Sequence, residues 1–178
     1  MKMGSKERSE MQFWIKEEYL KFADEMMEKP REFLMFEILY WTGIREGEML
    51  ALMPSAFDLS RRTMRIDKSY QRFDGRDVIT DPKTPKSIRT IKPSKFLVEE
   101  IADYLKRHPE IGPNDRMFPV TKYQISRAMK NGCQKSGVKK IRVYDLRHSH
   151  VSLLIDKGFT ALAIAERMGH VATDITFR

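Results

Sequence analysis

Val143-Tyr144-Asp145-Leu146-Arg147-His148-Ser149-His150 opens a run that continues through Val151-Ser152-Leu153-Leu154-Ile155, and its reading decides the fold. Asp145 can cap a first helical turn, and Leu146, Val151, Leu153, Leu154 and Ile155 supply the apolar positions that a core would cover. Arg147 follows Tyr144 by one turn, which predicts both side chains on one edge of the helix start. Free N–H groups and the helix dipole favour an anion there. A guanidinium, a phenol and the imidazoles of His148 and His150 beside them point to an oxyanion site, with phosphate as its natural occupant. A capped core helix bearing a surface arginine accounts for the same residues, so this stretch alone leaves both readings open.

The surrounding chain narrows the choice. With 178 residues, 41% hydrophobic and 33% charged, it suits one globular domain with a real core. No apolar run reaches transmembrane length, and the charged N-terminus is not a signal peptide. The single cysteine, Cys133, forms no internal disulfide and fits a reducing, cytoplasmic interior. One cysteine and four scattered histidines offer no zinc-ligand spacing, so neither a metal nor another cofactor is expected. The net charge of +8 is unevenly spread. Residues 1–60 carry 8 basic and 12 acidic side chains, whereas residues 61–95 carry 11 and 4, and residues 121–148 carry 8 and 1. Two separate basic blocks in an otherwise neutral or acidic chain predict a polyanion held between them. Neither block is an amphipathic helix with an aromatic face, which favours nucleic acid over a membrane surface.

Periodicity predicts a mainly helical α+β fold with a small three-stranded antiparallel sheet. Helical spacing covers residues 13–27, then 32–41, which is apolar on most sides and therefore central. Thr42-Gly43 breaks that helix, and a short third one runs from Ile44 to Leu52. Its Arg45 follows the glycine turn, and Glu48 lies three residues on, within reach of the guanidinium. An ordinary surface ion pair is the competing reading. Residues 63–70 alternate like a strand, Phe73-Asp74-Gly75-Arg76 supplies a turn, residues 77–80 pair back, and residues 87–91 form a third strand. Asp81-Pro82-Lys83-Thr84-Pro85-Lys86 is then a hairpin tip whose lysine can reach into a groove and donate a proton. A helix over 95–107 ends at His108, read as solvent-facing. A basic helix from Tyr123 to Gly132 or beyond offers Ser126, Arg127, Lys130, Asn131, Gln134 and Lys135 to phosphates, with Cys133 buried as a small hydrophobe. Thr160 caps a short helix, residues 161–168, stopped by Gly169-His170, and residues 171–178 are read as starting another polar turn or helix.

Thr42-Gly43-Ile44-Arg45-Glu46-Gly47-Glu48, the hairpin Lys83, Tyr144-Asp145-Leu146-Arg147-His148 and Met168-Gly169-His170 occur in one order. Together they resemble the catalytic domain of the tyrosine recombinases, the integrases of phages and integrative elements. The resemblance runs from residue 13 to 178, with residues 1–12 read as a linker or leader. It implies that Arg45 and Arg147 clamp a scissile DNA phosphate, that Lys83 protonates the leaving 5′-oxygen and that His170 completes the site. Glu48 is implied as the acidic partner of the first arginine, and Lys86, Arg89, Lys122, Arg127 and Lys130 as further DNA contacts. It also implies cutting and rejoining of DNA through a 3′-phosphotyrosyl intermediate without a metal, since arginine and lysine supply the charge. Double-stranded attachment sites, a homotetramer on DNA for the full-length protein, and a bacterial, nucleoid-associated location follow from the same likeness.

Two departures qualify it. Tyr144 stands where the family usually has histidine; a phenol donates a hydrogen bond but is a poor base near neutral pH. The family's nucleophilic tyrosine follows the Gly-His motif, and no tyrosine lies between His170 and Arg178. The expectation is a fragment that stops short of its nucleophile, does not cleave DNA and can exist as a monomer. A catalytically silent DNA-binding module of the same fold is the alternative. A metal nuclease would need clustered carboxylates that the sequence does not offer.

Overall fold

The computed structural model describes residues 11–82 and 84–169. Lys16–Met26 (α1) turns Tyr19, Phe22, Ala23 and Met26 inward. Pro30 follows the end of α1 and opens the next helix as the first residue of Pro30–Thr42 (α2), where the missing N–H costs nothing. Every residue of α2 from Leu34 to Tyr40 is buried, so it is the central helix, as its pattern predicts. Tyr19 stacks on Tyr40 at 3.9 Å between ring centroids, and Trp14 lies 4.8 Å from Phe22. The Trp14 indole N–H donates to the Lys139 carbonyl (2.8 Å) and its backbone N–H to Ser149 Oγ (2.9 Å). The chain ahead of α1 is thereby tied to the region that carries Arg147.

Glu46–Leu50 forms the short α3. The β-region departs from the sequence reading in its pairing. Phe57–Asp58 (β1), Thr63–Ile66 (β2) and Arg89–Ile91 (β5) make the three-stranded antiparallel sheet. Ser69–Phe73 (β3) and Arg76–Thr80 (β4) form a separate hairpin. The stretch expected to be one strand over 63–70 therefore divides at Asp67-Lys68. Met64, Ile66 and Tyr70 all stay buried, so the alternation that sequence reads is genuine, but alternation does not state which partner each half takes. The turn is as expected: Asp74 and Gly75 have φ of 48° and 74°, the pair of positive values that a two-residue type I′ connection requires. The third strand begins at Arg89, later than predicted, because Pro85–Ser87 turns as a 3₁₀ segment.

Lys95–Arg107 (α4), Lys122–Ser136 (α5), Asp145–Asp156 (α6) and Ala161–Met168 (α7) complete the described fold. Thr121 caps α5, Thr160 caps α7, and Gly137 and Gly169 end them at positive φ. Cys133 is buried as expected. His108 is not simply solvent-facing: its ring stacks on Tyr104 at 4.2 Å, with Nδ1 2.9 Å from the Tyr104 carbonyl. Among the described residues no helix is long and apolar enough to cross a membrane.

Candidate active site

Three chain segments meet at Gly43. Its left-handed conformation (φ 70°) closes α2 with its N–H on the Leu39 carbonyl, and its own carbonyl accepts a hydrogen bond from Arg147 Nη1 at 2.7 Å. Arg147 Nη2 donates to the Met168 carbonyl at the end of α7, 2.6 Å away. The guanidinium, on a residue only 4% exposed, is thus held by two backbone carbonyls. Burial pushes the pKa of Arg147 down to about 9, and the neighbouring charges of Arg45 and Arg89 push the same way. The nearby Glu48 and Tyr144 push it the other way by less.

Arg45 is the N-cap residue of α3, and its side chain is 40% exposed. Glu48 does back it, but through the main chain: Glu48 Oε1 accepts the Arg45 N–H at 2.8 Å, while the guanidinium lies 3.9 Å off. The strong partner of Glu48 is Arg89, which sequence reasoning had placed against DNA. Arg89 Nη1 lies 2.9 Å from Glu48 Oε2 and Nη2 3.0 Å from Oε1, a two-pronged pair with both side chains under 10% exposed. Burial alone would raise the Glu48 carboxyl; the hydrogen bonds and charge of Arg89 outweigh it and hold it below the ordinary range. Arg89 lies two residues before the buried Ile91 on one strand, which places both on the inward face. That spacing was the available signal.

α6 starts through a 3₁₀ turn in which Asp145, Leu146 and Arg147 donate N–H bonds to Arg142, Val143 and Tyr144. The buried Asp145 carboxylate accepts from the Arg142 backbone N–H (2.8 Å) and guanidinium (3.1 Å), so the cap works on the residues before the helix. Tyr144 is 53% exposed, its ring edge-on to His148 at 5.1 Å. The structure thus separates the pair predicted on one edge: the phenol stands at the surface and the guanidinium inside. His148 Nδ1 lies 3.4 Å from Asp145 Oδ1. His150 is not part of an oxyanion site. It is buried, its Nδ1–H donates to the Tyr40 carbonyl (2.7 Å), and its Nε2 accepts from Arg167 Nε (3.0 Å). Burial first, then the Arg167 charge, push its pKa down to about 3, which keeps the ring neutral. Arg116 was also missed: it caps the Leu50, Phe118 and Val120 carbonyls and lies 3.8 Å over the Tyr70 ring.

Lys86 is exposed on the 3₁₀ turn before β5, and Lys122, Arg127 and Lys130 are exposed along α5. Arg127 and Lys130 face Lys140 and Arg142 across a groove of about 790 Å³, and the segment forming that groove's other wall leads directly into α6. Lys83 and His170, assigned to the site from sequence, lie outside the described residues, as does the turn or helix read over 171–178.

Residues 14–178 match the model of the phage integrase family. The integrase of the element ICEBs1 from Bacillus subtilis is 34% identical over 186 residues, covering 95% of this chain and 50% of that protein. The integrase of Mycobacterium phage L5 is 26% identical over 143 residues, covering 75% and 38%. The chain therefore spans about half the length of the curated relatives it matches. Among solved structures, the Tn1549 transposon integrase in complex with circular intermediate DNA superposes with a TM-score of 0.80 at 18% identity, over 92% of this chain and 60% of that one. The XerA recombinase gives 0.74 at 20% identity, over 95% and 58%. The structural likenesses bear on the fold; the family match over nearly the whole chain and the sequence shared with the ICEBs1 integrase place this chain in the phage integrase family, as a tyrosine recombinase catalytic domain.

Proposed function

We propose that this domain binds duplex DNA and positions one phosphodiester for transesterification by a tyrosine. The observation that carries the reading is Arg147: a buried guanidinium held by two carbonyls, with Arg45 and Arg89 close enough to depress its pKa. Paired guanidiniums match the non-bridging oxygens of a phosphorane-like transition state, where negative charge gathers. The groove between α5 and residues 140–145 supplies cations for the flanking backbone. In this reading Tyr144 donates a hydrogen bond to a phosphate oxygen, Lys83 protonates the departing 5′-oxygen and His170 adds a further donor. The tyrosine attacks phosphorus, the P–O5′ bond breaks, and the freed hydroxyl later reverses the step on another strand.

Attachment-site duplexes are the proposed substrate, with a tetramer of the full-length protein joining two of them. No tyrosine follows His170 in the 178 residues, so the chain as given is expected to bind duplex DNA with steep salt dependence and to form no covalent adduct. Protein extended past Arg178 through a tyrosine is expected to be trapped covalently on a nicked suicide duplex. Lys83→Ala in that protein should slow trapping by about 100-fold or more while leaving affinity nearly unchanged. Extended protein that binds DNA and is never trapped would favour the catalytically silent module.

A further inference from the structure

Arg89 spends every side-chain nitrogen inward. Nη1 and Nη2 hold the two Glu48 oxygens, Nη1 also reaches the Ser87 carbonyl (2.8 Å), and Nε donates to the Arg167 carbonyl (3.0 Å). The consequence lies in what its partners do next. Glu48 Oε1, the oxygen that accepts Arg89 Nη2, also accepts the Arg45 N–H at the start of α3. The Arg167 carbonyl is one peptide before the Met168 carbonyl on which Arg147 rests. One guanidinium therefore spans from the residue that seats Arg45 to the helix end that seats Arg147.

We propose that Arg89 is a positioning residue that sets Arg45 in register with Arg147, and that it touches no DNA itself. The proposal rests on the reading of those two arginines as phosphate ligands. A lysine at position 89 could keep the charge but not the two-pronged geometry together with the link to α7, because it has one nitrogen where Arg89 uses three.

A double-mutant cycle on duplex DNA binding by the 178-residue chain tests it, using a fixed duplex at several salt concentrations. Arg89→Gln is expected to weaken binding about tenfold in the parent chain, the loss of one well-placed charge-assisted contact. In the Arg45→Ala background it should weaken binding by less than about twofold, because no Arg45 remains to be misplaced. Arg89→Lys should fall between the parent and Arg89→Gln, and it carries the same cycle if the glutamine variant does not fold. General destabilisation would move the melting temperature without producing this coupling. Equal losses in both backgrounds, or no loss in either, would overturn the positioning role and leave the DNA reading intact. Binding that is absent from the parent chain, or unaffected by Arg45→Ala, would overturn both together.

Discussion

Replacing Gly43 by alanine adds one methyl group at the point where α2, α6 and α7 converge. At φ 70° an L-residue pays about 1–2 kcal/mol in backbone strain. The new Cβ would stand 2.5 Å from His150 Cδ2 and 2.8 Å from Met168 Cε and Sδ. The methionine end can swing aside. The imidazole cannot, because Tyr40 and Arg167 hold both its nitrogens, so a further 1–3 kcal/mol or so of overpacking is expected. The combined loss is about 2–5 kcal/mol, which lowers the melting temperature of a chain this size by roughly 5–20 °C. Circular-dichroism melts of Gly43→Ala check this, and Met168→Ala in the same chain should recover none of the loss, because Met168 is fully buried and its truncation leaves a cavity. A Gly43→Ala protein that melts within about 2 °C of the parent would refute the packing of His150 against this turn.

Replacing Arg127 and Lys130 together by alanine should weaken duplex binding uniformly across sequences and reduce the slope of log affinity against log salt by about 2; titrations at four salt concentrations measure it. Glu100 makes the protein's stability depend on pH. Burial, then the proximity of the Glu37 carboxyl, push its pKa from 4.5 up to about 8, so the folded state binds the proton more tightly than the unfolded chain. That contribution is complete at low pH and is lost as pH rises through about 8. The melting temperature should fall between pH 5 and pH 8, and Glu100→Gln should flatten the decline.

What the sequence disclosed and what it withheld divide on physical grounds. Helices announce themselves by period and punctuation, so α2, α4, α5 and α7 lie close to where apolar spacing and the capping Thr and Gly residues put them. Asp74-Gly75 named its own turn because few residues accept two positive φ values. The division of 63–70 between two sheets was illegible, since Met64, Ile66 and Tyr70 keep one face buried whichever partner they take. Arg45 and Arg147 stand out in the sequence beside a glycine turn and a helix start, settings that a plain capped helix and a surface ion pair fit as well. Their long-range supports are not legible: Glu48 does hold Arg45, by its backbone N–H, but its two-pronged partner Arg89 is 41 residues away. His150 reads as part of an anion site because it stands in the same helix start as Arg147 and Tyr144, and only the packed structure shows it clamped by α2 and α7.

The most direct test of paired guanidiniums on one DNA phosphate is the rate of covalent capture of a nicked duplex by protein extended through a tyrosine, comparing the parent with Arg147→Lys. Lysine keeps a charge but cannot hold the Gly43 and Met168 carbonyls and still present a fork to phosphate. Capture is predicted to slow by about 100-fold or more while duplex affinity stays within about threefold. Equal capture rates for the two proteins would contradict the account.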